Sequence, residues 1–308
     1  MNNQTPTYET VTGQIEYTLT SDLVFHYVLQ KSKAALKKLV CALKDIDPDD
    51  VMKIEVVNPI DLNSSFKETI MDLKLTLNNN EIINIELQVY VDNFWCQRSI
   101  LYLCRAYDSI GNSEDYSNLK PTTHICITDK DLIEGSDEFY SHYLLLNTTN
   151  HIPYTTDFGI NMLQLNHIDK ATEDDVKNGL VYWAKLFMAE TWEEFKALAD
   201  GNEVIEEVGA LIFELNYDNQ AKEIMEGRRR YREQLNTSYS AGKIDTENEL
   251  LPIIAQKNAD LANEKAAKEA AIADRDATIA DKDATIKKDK SVIAALEARI
   301  KELESLSK

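Results

Sequence analysis

Glycine, proline and cysteine are all scarce in this chain. Of its 308 residues, 9 are glycine, 6 are proline and 4 are cysteine. So little glycine and proline excludes a collagen-like or low-complexity protein. The cysteines, at positions 41, 96, 104 and 126, form no CxxC pair and lie among apolar residues. We therefore expect buried, reduced thiols, not disulfides or a zinc site.

Several functional signatures are also missing. No apolar run approaches the roughly 20 residues of a membrane span, and the first residues lack a basic region followed by an apolar core. The sequence has no GKS/T phosphate loop, no GxSxG and no GxGxxG, and its five histidines show no HxxxH spacing. With 44% hydrophobic and 28% charged residues, we expect a folded cytoplasmic protein without membrane contact.

Positive charge is the next shortage. The chain has 33 basic and 53 acidic residues, a net charge of −20. Residues 251–308 hold 11 of each sign, so the whole excess lies in residues 1–250. This acidity argues against loose coating of nucleic acid, which depends on lysine and arginine, but allows a small local site.

The apolar pattern predicts alternating helices and strands in the first half of the chain. One amphipathic helix is expected over residues 21–46, capped by Ser21 or Asp22 and ended by the Asp-Pro-Asp-Asp run at 47–50. The remaining predicted elements are a strand at 52–57, a loop at 59–65, a hairpin at 68–90, a helix at 93–110, and strands at 124–128 and 142–147. Such an order is typical of a mixed α/β core.

From about residue 171 the pattern becomes wholly helical, and these helices could pack on the core or form a lid. Trp183 and Trp192 are expected in the core. We divide the chain into a polar leader at 1–20, an α/β core at 21–168, a helical region at 169–250 and a tail at 251–308.

The tail has a seven-residue repeat. Isoleucine recurs on one heptad position, at 272, 279, 286, 293 and 300. This period predicts a left-handed coiled coil, and β-branched residues at that position favour a parallel dimer. The second seam position is charged in the middle, with Lys268, Arg275, Lys282 and Asp289. A homo-oligomer is therefore the expectation, and a solitary charged helix is the alternative.

The hairpin, IMDLKLTLNNNEIINIELQVY at 70–90, carries acids on its polar side. The apolar sets of both strands must share one face, and a three-residue loop at 78–80 then pairs residues whose numbers add up to 158. Asp72 faces Glu86 in that register. A five-residue loop would set Asp72 opposite Gln88, with Glu86 on the diagonal.

In either register two like charges lie within about 5–8 Å, which is destabilising unless something offsets it. A Mg²⁺ ion would do so, because it takes oxygen ligands and usually needs only one or two carboxylates besides water and phosphate. The alternative, held equally, is a solvated face on which Lys74 neutralises Asp72.

The ordered motifs resemble the PD-(D/E)XK nuclease superfamily, and within it the recombination-promoting nucleases, also called PD-(D/E)XK family transposases. The match follows the chain from the first helix to the helical region, over roughly residues 20–235. It is carried by Asp22-Leu-Val-Phe25, Met71-Asp72-Leu-Lys, Ile85-Glu86-Leu-Gln88, Arg98 and Tyr102, the segment 111–121, Tyr182-Trp183 and Thr191-Trp192-Glu193-Glu194.

The resemblance implies a restriction-endonuclease-like core that hydrolyses DNA phosphodiesters with Mg²⁺, for which Mn²⁺ could substitute. Asp72 and Glu86 would be catalytic metal ligands, and Gln88 would occupy the position of the superfamily's lysine. Asp22, Arg98 and Tyr102 are candidate accessory residues. Glutamine departs from the superfamily lysine, since it supplies no positive charge and can only position water. His26, where relatives more often have a basic residue, is another departure.

Basic residues near these motifs are candidate DNA contacts. They are Lys74 and the run Arg228, Arg229 and Arg230, although a solvated helix face beside Glu226 and Glu233 is the favoured explanation of that run. Five lysines of the first predicted helix (31, 33, 37, 38 and 44) offer another surface. Arg98 could clamp a phosphate or orient Glu86.

The leading hypothesis is a Mg²⁺-dependent DNA endonuclease of recombination, transposition or mobile-element defence. The alternative is a nuclease-fold scaffold without activity, and RNA is a further candidate substrate.

Overall fold

A computed structural model of the chain describes residues 6–58, 72–78, 80–90, 93–108 and 114–306, apart from the side chains of Arg232, Leu235 and residues 302–306. Within these ranges six strands form one mixed sheet in the order β1-β2-β3-β4-β6-β5. The strands are β1 (Ile54–Val56), β2 (Leu73–Leu77), β3 (Glu81–Gln88), β4 (Thr122–Thr128), β5 (Tyr140–Leu144) and β6 (Phe158–Gln164). The expectation of a mixed α/β core is thus confirmed.

The sheet is parallel in its centre and antiparallel at both edges. β3, β4 and β6 run parallel, whereas β1–β2, β2–β3 and β5–β6 are antiparallel. The pattern did not predict β6, and the predicted strand at 142–147 lies two residues earlier, at 140–144. The predicted strand at 52–57 is shorter, at 54–56, and the predicted loop at 59–65 lies outside the described residues.

The β2–β3 register is the one predicted for a three-residue loop. Leu73 pairs with Ile85 and Leu75 with Ile83. Asn78 adopts a left-handed backbone with φ of 50°, which asparagine tolerates. Its side chain also accepts the amides of Met52 and Lys53. These bonds fix the turn, and with it the face to which each side chain of the hairpin points.

The helices are α1 (Asp22–Lys31), α2 (Lys33–Lys44), α3 (Trp95–Tyr107), α4 (Glu173–Lys177), α5 (Leu180–Met188), α6 (Trp192–Ala199), α7 (Glu203–Tyr217) and α8 (Asn219–Leu306). The single helix predicted over 21–46 is therefore wrong. It breaks at Ser32, whose backbone is extended and whose Oγ accepts the amide of Ala35 and donates to Glu207. Serine caps helices in this way because its hydroxyl replaces a missing backbone partner.

Helices cover both faces of the sheet. One face packs against α1, α2, α5, α6 and α7 in a large core that includes Leu75, Ile85 and Ile125. Trp183 and Trp192 are buried there, as predicted. α5, α6 and α7 thus pack in this core and form no separate lid. The opposite face is covered by α3, whose Trp95 packs with Cys126 and Met162.

Two expectations about buried residues need correction. The leader at 1–20 was expected to be polar, yet Val11, Ile15 and Leu19 are buried in the large core. Cys41 and Cys126 are buried, but the other two cysteines are exposed on α3 because their helical positions point outward. All four are free thiols, which agrees with the reduced state expected.

The chain divides into two compact units, Met1–Arg229 and Arg230–Lys308. The second unit belongs to α8, an uninterrupted helix in which the five heptad isoleucines are each about half exposed. Across the described ranges, no helix combines the length and apolar character that crossing a bilayer demands.

Candidate active site

Two acids of neighbouring strands meet on the α3 face of the sheet. Glu86 lies in β3, and Asp72 directly precedes β2. The pairing of Leu73 with Ile85, extended by one residue, sets Asp72 opposite Glu86. Burial, and secondly the charge of Glu86, raises the pKa of Asp72 to about 6. The carboxylates are therefore close enough to repel each other in a poorly solvated place.

Glu86 is nearly buried, with 8% of its side chain exposed. Arg98 of α3 donates from Nη2 to Glu86 Oε1 over 2.7 Å. On the other side, Nε2 of His124 in β4 lies 3.3 Å from Glu86 Oε2. Arg98 therefore orients one oxygen of the Glu86 carboxylate, whereas the contact of His124 with the other oxygen is not a hydrogen bond.

Gln88 is buried two residues further along β3. Its Oε1 accepts from Arg98 Nη2, and its Nε2 donates to the carbonyl of Tyr90 over 2.6 Å. Both ends of the amide thus have protein partners. In this geometry Gln88 fixes Arg98, whereas the sequence suggested that it positions water.

Asp72 is held by asparagines from two directions. Asn84 Nδ2 donates to its Oδ2 over 3.3 Å. Asn58, just beyond β1, donates from Nδ2 to the Asp72 carbonyl and accepts the Lys74 amide. Asn58 thereby prolongs the contact between β1 and β2 up to the acid. Lys74 forms no ion pair with Asp72 in the described part of the chain, so the neutralisation considered from sequence does not occur.

Tyr102 of α3 closes the site from above. Its ring makes an edge contact with the His124 ring at 6.3 Å, and the Arg98 guanidinium lies 5.9 Å from its centre. Burial and the nearby negative charge of Asp72 raise the pKa of Tyr102. Tyr102 thus lies near both acids, and its accessory role stays a prediction.

The remaining candidate residues come from α1 and α8. Asp22 is in the first turn of α1, a helix that packs in the large core on the other face. The basic run is in α8, where Arg229 pairs with Glu226 at 3.7 Å, both about half exposed. Arg228 lies near enough to α1 for its charge to lower the pKa of His26, after the larger effect of burial.

Sequence reasoning missed Asn84 and His124. The apolar pattern and the metal-ligand spacings gave no reason to single out either residue. A polar residue in an apolar central strand is unusual, and Asn84 of β3 is paired with His124 of β4. Together these two facts would single out both residues. That pairing could not be known before the strands were known to be parallel neighbours.

The described ranges contain no group of three or more His, Cys, Asp or Glu side chains arranged to hold a metal ion. Two carboxylates are nevertheless a sufficient protein contribution for Mg²⁺, which keeps several waters. Asn84 is the one side-chain donor to the Asp72 carboxylate in the described ranges, and the buried Glu86 Oε2 has no hydrogen-bond partner there, so a divalent cation fits this pair. Asp72 and Glu86 are the residues that would hold it.

A mixed sheet with acids on adjacent strands and helices on both faces is consistent with a restriction-endonuclease-like nuclease core. A family model described as PD-(D/E)XK nuclease family transposase matches residues 19–241. The chain belongs to that family, as its motifs led us to expect. No curated protein and no solved structure matches it.

Proposed function

We propose that the protein is a Mg²⁺-dependent DNA endonuclease, acting in the cytoplasm during recombination or transposition or in defence against mobile elements. The family supports a nuclease-type function. The observation that carries the proposal is the meeting of Asp72 and Glu86, because opposed buried acids cost stability unless a cation or a reaction requires them.

The proposed chemistry divides between the ion and the protein. A bound divalent cation supplies Lewis acidity towards the scissile phosphate and makes a water more acidic. Asp72 and Glu86 would bind the cation. Arg98 keeps the Glu86 carboxylate oriented, and Gln88 keeps Arg98 in place. Tyr102 and the α3 backbone exclude bulk water from one side, which strengthens the electrostatic interactions inside.

In this proposal only a few basic residues contact the DNA. Residues 1–250 carry the whole charge of −20, so we propose a small contact with Lys74 and Arg228, Arg229 and Arg230 instead of an extended basic surface. Such a contact predicts a shallow dependence of binding on salt, since each neutralised phosphate adds about 0.9 to the slope.

The deciding experiment is a nuclease assay on supercoiled, linear and single-stranded DNA with Mg²⁺ or Mn²⁺. We expect nicking or cleavage by the wild type and none by Asp72→Ala or Glu86→Ala. Glu55→Ala, at an exposed position of β1, is the control and should retain activity. Equal behaviour of the wild type and both site variants would refute the endonuclease, and an RNA substrate in the same assay tests RNA cleavage.

A catalytically inactive scaffold is the second candidate. It is favoured by the 2.7 Å bond from Arg98, which offsets the charge of Glu86 without any metal, and by Gln88 in place of lysine. Calorimetric titration with Mg²⁺ and Mn²⁺ separates the two functions. An endonuclease must bind the ion at Asp72 and Glu86, whereas a scaffold need not.

We further propose that α8 joins two copies of the chain in a parallel coiled coil. Its heptad isoleucines are each about half exposed. Apolar residues with a seven-residue period are buried when an equivalent helix packs against them. Two catalytic units joined in this way could cut both strands of one duplex.

A further inference from the structure

A chain of polar contacts runs beneath the two acids. Asn84 Nδ2 lies 3.3 Å from Asp72 Oδ2 and 3.1 Å from His124 Nδ1. On the far side of the imidazole, His124 Nε2 lies 3.3 Å from Glu86 Oε2. Two side chains from adjacent parallel strands therefore connect the carboxylates. Neither takes part in the chemistry proposed above.

The orientation of the Asn84 amide follows from its partners. Its NH₂ group has two hydrogens, and the two neighbours, a carboxylate oxygen and a ring nitrogen, can each accept one. The flipped amide would point its oxygen at the Asp72 carboxylate, acceptor against acceptor. The arrangement with nitrogen towards both neighbours is therefore the favoured one.

The tautomer of His124 follows in turn. Because Asn84 donates to Nδ1, that nitrogen must be the bare acceptor, and a neutral ring then carries its hydrogen on Nε2. The Nε2 atom and the facing Glu86 Oε2 are both buried, lie 3.3 Å apart and have no hydrogen-bond partner in the described ranges. The Nε2–H group is thus directed at the carboxylate, at a distance that a small side-chain movement would shorten.

Packing alone does not account for this pair. His124 is fully buried under Tyr102, and an apolar residue of similar size would fill the same space without needing partners. A buried polar pair costs free energy unless its hydrogen bonds are satisfied. Here Asn84 bonds Asp72 and His124, whereas His124 Nε2 and Glu86 Oε2 face each other unbonded at 3.3 Å, so a small movement of either side chain would satisfy both.

We propose that Asn84 and His124 are positioning residues, which hold Asp72 and Glu86 at a fixed separation and so prepare the pair for a divalent cation. The inference rests on the proposed function for its purpose, but the contact chain itself can be tested without metal or DNA. Residues that orient metal ligands typically change metal affinity about 10- to 100-fold when they are replaced.

The first test is the tautomer of His124. Protein with ¹⁵N-labelled histidine is recorded without metal, in EDTA, and the His124 signals are assigned by their loss in His124→Gln. We expect a protonated Nε2 and a bare Nδ1. In Asn84→Asp a carboxylate replaces the donor, so Nδ1 should become protonated. A hydrogen on Nδ1 in the wild type, or an unchanged pattern in Asn84→Asp, overturns the proposed chain of contacts.

The second test uses two substitutions of His124, the side chain that forms a bridge between Asn84 and Glu86. Each substitution keeps one end of this bridge. The nitrogen of His124→Gln can take the place of Nε2 and still donate to Glu86, whereas His124→Asn can accept from Asn84 but no longer reaches Glu86. Calorimetric titration with Mn²⁺ should show a dissociation constant about 10- to 100-fold larger for His124→Asn than for the wild type. His124→Gln should retain most of the affinity, and thermal unfolding confirms that both variants fold.

The outcomes separate the inference from the proposed function. Equal losses of Mn²⁺ affinity in both His124 variants, or no loss in either, would assign His124 to packing and overturn the positioning role. Absence of Mn²⁺ binding in the wild type would instead refute the metal-dependent nuclease. It would also remove the purpose assigned to the bridge, whereas its hydrogen bonds would still be judged by the tautomer measurement.

Discussion

Arg98 and Glu86 form an ion pair across the space between α3 and β3, with 2.7 Å between Nη2 and Oε1. The side chain of Glu86 is 8% exposed and that of Arg98 23%. In a chain with a net charge of −20, this pair sets one basic group against the place where two acids converge. Arg98 therefore supports both the fold and the proposed site, and the two effects can be measured separately.

Replacing Arg98 should lower both the stability of the fold and the activity of the proposed site. Arg98→Ala leaves the nearly buried Glu86 without its donor, which we expect to lower the free energy of unfolding by about 1–3 kcal/mol. Urea unfolding measures that loss. Nuclease activity should fall with it, because Glu86 is no longer oriented.

The control is Arg105→Ala, which removes an exposed arginine from the last turn of the same helix. It should change the unfolding free energy by less than about 0.5 kcal/mol. Similar losses in both variants would mean that the bond to Glu86 is not what Arg98 contributes.

The raised pKa of Asp72 predicts a pH-dependent cost to the fold. Burial and Glu86 raise this pKa from 3.8 to about 6, so the folded protein keeps a proton that the unfolded chain releases. The free energy of unfolding must then fall as pH rises from about 4 to 6, and the loss persists above. At pH 7 we expect Asp72→Asn to be more stable than the wild type, by at most about 3 kcal/mol.

Urea unfolding in EDTA at several pH values measures this difference. The gain should shrink towards pH 4 and vanish only well below the ordinary pKa of 3.8, where the acid is protonated in both states. Asp283→Asn, an exposed substitution on α8, should follow the wild type throughout. A constant difference between Asp72→Asn and wild type at all pH values would contradict the assignment.

His26 contributes in the opposite direction over the same pH range. Burial lowers its pKa from 6.5 to about 4, so the unfolded chain takes up a proton that the folded chain refuses. This contribution is fully present above pH 6.5 and is lost as pH falls towards 4, by up to about 3 kcal/mol. We expect His26→Gln to lose less stability than the wild type on acidification from pH 7 to 4.5.

The comparison is between slopes, because loss of packing in His26→Gln shifts all pH values alike. His151→Asn is the control, since this exposed residue has φ of 57°, a conformation that asparagine tolerates. An identical slope in wild type and His26→Gln would show that His26 is not the group responsible.

The sequence predicted the hairpin well for a physical reason. Alternation along 72–90 leaves only registers of one parity, and both registers considered bring Asp72 and Glu86 together on one face. The structure adopts the register of the three-residue loop. The convergence of Asp72 and Glu86 could therefore be foreseen. The same reasoning failed at Ser32, where one hydrogen bond to the distant Glu207 helps to hold a helix break that local apolar spacing does not reveal.

Contacts between distant segments explain the remaining differences. His124 comes next to Asn84 only because β4 lies parallel to β3. Gln88 accepts a hydrogen bond from Arg98 only because α3 packs over this part of the sheet. Such meetings are decided by packing, not by neighbours in the chain. A single sequence therefore suggested the acids, and Arg98 as one candidate to orient Glu86, but it did not single out Asn84 or His124.

Divalent cations should stabilise the protein through the two acids. An ion that binds only the folded chain adds about 2.7 kcal/mol to the unfolding free energy at 100 times its dissociation constant. We expect Mg²⁺ and Mn²⁺ to raise the melting temperature of the wild type and to leave Asp72→Asn and Glu86→Gln unchanged. Ca²⁺ and K⁺ at the same ionic strength separate site binding from salt effects. An equal rise in the site variants would place any ion elsewhere.

Breaking the isoleucine seam of α8 should dissociate the oligomer without damaging the catalytic unit. Ile279→Lys with Ile293→Lys places charges at two positions that an equivalent helix would bury, whereas Ala277→Lys with Ala284→Lys adds the same charge on the outer face of the heptad. Sedimentation should show a monomer only for the isoleucine pair. Its Mn²⁺ affinity should match the wild type, because residues 1–229 form a unit of their own. If the wild type itself sediments as a monomer, α8 is a solitary helix and its exposed isoleucines require another explanation.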